Sequence, residues 1–209
     1  MSLKSQEESK KILEIISEQR KNIIAPVDLY GCKAIGKNNK LKILIALLLS
    51  SQNKDEVTYN AVHKLDKRLE GLSLVKIKES PIDNINNSIN KVGFHNRKSA
   101  YLKEIAEKCH QTGLPNNLQE LLDLPGIGYK MALLYMQHAH QKILGISVDT
   151  HVHRVSNRLG LVKSKSTEGT RKQLENLFVE NDWAMINSVF VGFGQKICTP
   201  VKPKCNECN

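Results

Sequence analysis

Apolar residues recur at helical spacing in segment after segment of this chain, and no two alternating runs face each other across a two-residue turn. Residues 9–21 set Ile12, Leu13, Ile15 and Ile16 on one face with charge opposite, and residues 56–69 repeat the pattern through Val57, Ala61, Val62, Leu65 and Leu69. The same spacing predicts helices over 97–112, 129–140, 149–160, 167–180 and 182–192, with a shorter Asn-rich piece at 82–91. Pro26 and the 31–39 stretch break the pattern. Lys40 to Ser50 is almost wholly apolar and long enough for a buried helix, although a strand of this composition has no period that would distinguish it. At 117–123 a short helix carries its own start signal: Asn117 can cap, and Glu120 can reach back to it. The expected fold class is all-α.

With 209 residues, 40% of them hydrophobic and 25% charged, the chain can bury a core as one large domain or two small ones. That balance excludes a disordered tail, a collagen-like fibre and a disulfide miniprotein. Aromatics at 5% weigh against a surface that stacks single-stranded bases on rings. A net charge of +10 and a pI near 9.4 favour a polyanion such as nucleic acid or an anionic membrane surface, a solubilising charge being the other reading. The apolar run from Ile43 to Leu49 is too short to span a bilayer, and the polar opening MSLKSQEESKK matches neither a signal nor a transit peptide, so no membrane association is expected. Cysteines number five, with three crowded near the C-terminal end, which reads as metal or cluster ligation in a reducing compartment.

The segment LDLPGIGYKMA, 122–132, carries the most chemistry. Gly126 and Gly128, separated only by Ile127 and joining two short helices, allow a tight turn at positive φ and leave amides uncovered. Amides at the start of the helix opening near Tyr129 suit a phosphate. The spacing is neither a Walker A loop nor a dinucleotide fingerprint, and a plain helical hairpin is the alternative. Lys130 lies in the first turn of that second helix, where the dipole disfavours an ammonium by only about 0.3–1 kcal/mol. Burial can lower a lysine pKa by up to about 3–5 units, so a nucleophilic Lys130 would owe its free amine mainly to desolvation. A solvated lysine that grips phosphate is the other reading. In SVDTHVHRVSNRLG, 147–160, Asp149 is an expected N-cap whose second oxygen remains available to a site, with His153 and Arg154 on the polar face. His151 and His153, two apart, do not share a helical face and make a poor metal pair.

LLSSQNKD (48–55), VGFHNRK (92–98), LPGIGYKMA (124–132), VDTHVHRVSNRL (148–159) and VGFGQKIC (191–198), in this order and spacing, resemble endonuclease III. With APVD at 25–28, the wording is closest to the eukaryotic homologues of that family, and the likeness runs from about residue 10 to the end. The resemblance implies a six-helix barrel domain over 32–142 that contains a helix-hairpin-helix at about 117–140. A second helical domain would be built from 1–31 and 143–209, with a cleft between the two. It implies a bifunctional DNA glycosylase and abasic-site lyase that removes oxidised pyrimidines from duplex DNA and nicks the strand by β-elimination. Lys130 falls on the Schiff-base nucleophile and Asp149 on the catalytic aspartate. Gln52 matches the residue that fills the gap left by the extruded nucleotide, and Phe94 falls near the wedge between neighbouring bases. A helix-end amide and a packed aromatic are the plainer roles for these two. The hairpin amides of Gly126, Ile127 and Gly128 would hold phosphate. A monomer is expected, in the nucleus or else the mitochondrion.

Cys198, Cys205 and Cys208 reproduce the first three ligands of the family's [4Fe–4S] cluster, but the fourth would fall about six residues beyond Cys208, past Asn209. An intact cluster is therefore in doubt. A longer natural chain, a borrowed ligand, Zn²⁺ and a relic that binds nothing remain alternatives. Lys202 and Lys204, between the first two cysteines, are placed for phosphate contact. Two other functions stand beside the repair enzyme: a catalytically degenerate helix-hairpin-helix DNA-binding protein, and a cluster-dependent redox or structural protein.

Overall fold

In the computed structural model, which describes residues 4–208, the long apolar run is a helix and the described residues contain no strand. The helices in chain order are α1 (Gln6–Lys21), α2 (Pro26–Tyr30), α3 (Cys32–Gly36), α4 (Lys40–Ser50), α5 (Asp55–Arg68), α6 (Leu74–Glu79) and α7 (Ile82–Ser88). They are followed by α8 (His95–Thr112), α9 (Leu118–Leu122), α10 (Tyr129–His140), α11 (Thr150–Arg158), α12 (Thr167–Leu177) and α13 (Glu180–Lys196), with a 3₁₀ turn at Cys205–Glu207. The chain divides into two compact units, one spanning Tyr30–Lys142 and the other formed by the segments up to Leu29 and from Ile143 onward.

The Tyr30–Lys142 unit is organised around α4. Leu41 and every residue from Ile43 to Leu49 are buried, so this helix is apolar all round and must be enclosed on all sides. Enclosure comes from α3, α5, α8 and α10, while α6 and α7 pack on α8. Each fully buried Leu or Ile contributes about 1.5–3 kcal/mol relative to exposure. Asn39 starts the helix by accepting the Lys42 amide at 3.0 Å. The single turn α3 and the six-residue α6 have no counterpart in the periodicity, because elements this short do not complete a repeat. At α9, Asn117 Oδ1 accepts the Glu120 amide at 2.9 Å as expected, but the Glu120 carboxylate turns to the Asn116 amide at 2.9 Å rather than to Asn117.

The other unit packs α1 and α11 against α13, around Leu13, Ile16, Val152, Val155, Phe190 and Phe193. Ser5 and Glu8 close a reciprocal capping box at the start of α1. Two glycines of the VGFGQ run are explained by arginines: a side chain at Gly192 would collide with the Arg20 guanidinium, and one at Gly194 would lie 3.0 Å from Arg154 Nη2. Arg20 in turn holds both oxygens of Asp28 at 2.9 Å.

Candidate functional site

The hairpin between α9 and α10 is set by three buried apolar residues, Leu121, Leu124 and Ile127, which anchor it to the α4 core. Gly126 has φ +77°, and a Cβ there would approach Tyr101 Cδ2 to 2.6 Å and Leu48 Cδ1 to 2.8 Å. Both the conformation and the packing therefore require glycine. Gly126→Ala is expected to lower unfolding stability by about 1–3 kcal/mol, seen as a lower denaturant midpoint at unchanged slope. Ile127 differs from the expectation that it would expose its amide: its N–H donates to Leu124 O at 3.3 Å, so its part is packing. Gly128 is exposed, N-caps α10 and has open space around it, and it offers the uncovered backbone of this turn.

Lys130 lies half-buried one step into α10, two residues beyond Gly128. Cys32, at the start of α3, shares its neighbourhood. Burial pushes the Cys32 thiol up to about 11, the Lys130 charge draws it back, and Asp55 at the start of α5 adds to the rise. The thiol is thus neutral at neutral pH and brings no countercharge to the lysine. Two turns further along α10, burial with help from Lys33 pushes His138 down to about 4, so that imidazole is uncharged as well.

Gln52 and Phe94 occupy the tips of two turns that the fold brings into contact. Both are left-handed, at φ 57° and φ 58°, and both are exposed, Phe94 by 61%. A Cβ on Gly93 would lie 3.6 Å from Gln52 O. The Gly93 amide donates to Asn53 Oδ1 at 2.9 Å, and Asn53 Nδ2 donates to Leu49 O and Ser51 O, each at 2.9 Å. Beneath them the Lys98 ammonium, buried to 5% exposure, donates to the same two carbonyls at 3.0 and 2.8 Å. An ammonium among helix-end carbonyls is electrostatically welcome, yet burial pushes Lys98 down to about 8 from the ordinary 10.5.

A lysine that binds its proton less tightly when folded leaves the unfolded chain carrying more protons between about pH 8 and 10.5. Stability from this group is therefore expected to rise with pH across that window, by at most about 1.4 kcal/mol per unit, as the cost of the buried charge is relieved. Unfolding measured at several pH values in wild type and Lys98→Met should show the rise only in the former.

In the second unit, Asp149 N-caps α11: its Oδ1 accepts the Val152 amide at 2.8 Å, and the carboxylate is half-buried. His153 Nδ1 pairs with Thr170 Oγ1 at 2.7 Å and His151 Nδ1 lies 3.2 Å from Arg154 Nη2, so both imidazoles serve the fold. Arg154, expected on the polar face of α11, donates from there to Gly194 O of α13 at 2.9 Å and to Cys198 O, at the start of the tail, at 3.0 Å. Arg158 donates to Thr199 O at 2.7 Å, to Pro200 O at 3.0 Å and to Cys198 Sγ at 3.5 Å. These two arginines hold the loop on which Lys202 and Lys204 stand exposed, Lys204 beside Glu207 at 3.3 Å.

Cys198 is half-buried, and Cys205 and Cys208 are exposed. Burial raises the Cys208 thiol, with smaller contributions from Cys198 and Cys205, so the three sulfurs lie within electrostatic reach of one another. No group of three or more His, Cys, Asp or Glu among the described residues is disposed to hold a metal ion. Among the described residues three thiols lie in this segment, Cys198 Sγ accepting from Arg158 Nη1, where a [4Fe–4S] cluster takes four thiolates.

Residues 45–180 match the HhH-GPD superfamily of base excision DNA repair proteins. The chain is 48% identical to "Endonuclease III homolog" of Encephalitozoon cuniculi, over 92% of this chain and 88% of that one. It is 38% identical to "Endonuclease III homolog" of Schizosaccharomyces pombe, over 95% of this chain and 59% of the other. With "Endonuclease III-like protein 1" of Mus musculus it shares 41% identity, over 88% and 64% of the two chains. The chain therefore spans most of the first relative but less than two thirds of the other two. Among solved structures, a trapped covalent and a non-covalent endonuclease III–DNA complex each superpose with a TM-score of 0.86 at 22% identity, over 99% of this chain and 93% of theirs. At that identity the likeness speaks for the fold.

Proposed function

We propose, on the premise that this chain belongs to the HhH-GPD superfamily of base excision DNA repair proteins and to its endonuclease III branch, that it excises oxidised pyrimidines from duplex DNA and cleaves the resulting abasic site. The observation that carries this reading is Lys130, half-buried in the first turn of α10 directly behind the hairpin glycines and flanked by a neutral thiol. A damaged base stacks poorly, so its extrusion costs less than the usual few kcal/mol, and this favours lesions over sound bases. Gly126 and Gly128 let the strand backbone approach the turn, Gln52 enters the vacated space, and Phe94 separates the neighbouring bases. The DNA that covers the half-exposed Lys130 also removes water from it, which supplies desolvation that the protein alone provides only in part.

The Lys130 amine attacks C1′ of the extruded nucleotide, the glycosidic bond breaks, and the base leaves with the bonding electrons. The Asp149 carboxylate stabilises the positive charge that builds on the sugar meanwhile. A proton passes from the attacking amine to O4′ as the C1′–O4′ bond opens, and the resulting iminium acidifies the C2′ proton. Its removal expels the 3′ phosphate, and the strand is cut. Such an enzyme works where duplex DNA is, in the nucleus ahead of the mitochondrion.

Incubation with a duplex that contains thymine glycol, followed by borohydride, is expected to give a covalent protein–DNA adduct that migrates above free DNA. Salt-sensitive duplex binding without adduct or nicking would instead identify a binding-only module.

A further inference from the structure

The two exposed tips are each in the left-handed conformation, which is sterically unfavourable for residues with a Cβ, and neither side chain is buried. Something beneath must hold them. That support consists of two side chains that share the same two acceptors: Leu49 O in the last turn of α4 and Ser51 O just past its end each receive one bond from Lys98 Nζ and one from Asn53 Nδ2. Asn53 then extends the tie to the second turn through the Gly93 amide. Lys98 belongs to α8, whose N-cap is Phe94, and its own amide bonds to Phe94 O at 3.0 Å. The helix that presents Phe94 is thereby bolted to the end of the helix that leads into Gln52. A buried lysine with two carbonyl partners has no part in the chemistry derived for Lys130 and Asp149.

We propose that Lys98 and Asn53 are positioning residues that lock the Gln52 and Phe94 tips into one rigid probe, so that the two enter the duplex together when a nucleotide is extruded. This rests on the reading of Gln52 and Phe94 given above. Lys98 acts through those tips and touches no DNA in this assignment.

The test uses the full chain, a duplex with thymine glycol beside 2-aminopurine, and four proteins: Lys98→Met, Asn53→Leu, Gln52→Ala/Phe94→Ala, and Lys98→Met added to that pair. Lys98→Met and Asn53→Leu are each expected to slow both the 2-aminopurine fluorescence rise and single-turnover excision about ten-fold, with faster amide exchange at Gly93. Residues that act as a unit are non-additive, so Lys98→Met in the Gln52→Ala/Phe94→Ala background should cost less than about two-fold more. An equal loss in both backgrounds, or unchanged Gly93 exchange in both single variants, overturns the proposal; if Lys98→Met does not fold, Asn53→Leu decides the exchange arm. Wild-type excision by Gln52→Ala/Phe94→Ala would overturn the premise about the tips, and Gly93 exchange would then separately report whether the tie exists.

Discussion

Lys130→Gln should give no borohydride adduct with a thymine glycol duplex and should lower single-turnover excision by at least about 10³-fold, the scale on which loss of a nucleophile is felt. Glutamine keeps most of the length and the helix propensity of lysine, and Lys130 is half-buried rather than part of the core, so unfolding should change by less than about 0.5 kcal/mol. Affinity for an intact duplex should fall only as far as one lost positive charge requires, a modest change in the salt slope. The pattern separates the two roles open to this residue. A lysine that only grips phosphate would weaken binding on every duplex and leave the adduct on the remaining bound fraction. A nucleophile removes the adduct while binding persists. Persistence of adduct in Lys130→Gln would move the Schiff base to another amine, and the basic surface offers many.

What was legible in the sequence was whatever depends on neighbours a few residues apart. The α4 run is long and apolar, and the Gly126–Gly128 turn with Lys130 behind it is a local signal that survives folding unchanged. Asn117 and Asp149 cap the helices they precede, because a cap needs only the amides two or three positions on. Lys98 was invisible by the same logic. In its own segment it reads as one more charge on an amphipathic helix, and only the fold brings it to carbonyls 49 and 47 residues earlier. A lysine at a position of the α8 pattern where an apolar residue would fit was the one available hint. Arg154 and Arg158 were missed for a related reason: their acceptors in the tail lie more than 40 residues away. The Lys130 charge reaches the Cys32 thiol, which brings a one-turn helix within electrostatic range of the hairpin in the same unit. Periodicity carries no information about that meeting.

Asp149 allows its two duties to be measured apart, because asparagine caps a helix as well as aspartate but carries no charge. In Asp149→Asn the amide oxygen can still accept the Val152 N–H that Oδ1 now takes at 2.8 Å, so unfolding stability should stay within about 0.5 kcal/mol of wild type. Excision should nevertheless fall about 10²–10³-fold, since the charge that opposes the developing sugar cation is gone. Asp149→Ala removes both functions and should add a stability loss of about 1 kcal/mol to a similar loss of rate. A preformed abasic site has no base to expel, so the borohydride adduct on that substrate should lose much less than excision does in either variant. Chemical denaturation and single-turnover kinetics on the two substrates give the three numbers needed for each variant. Should Asp149→Asn keep both stability and rate while Asp149→Ala loses both, the carboxylate would be a cap alone, and the charge facing the sugar would have to come from elsewhere in the chain.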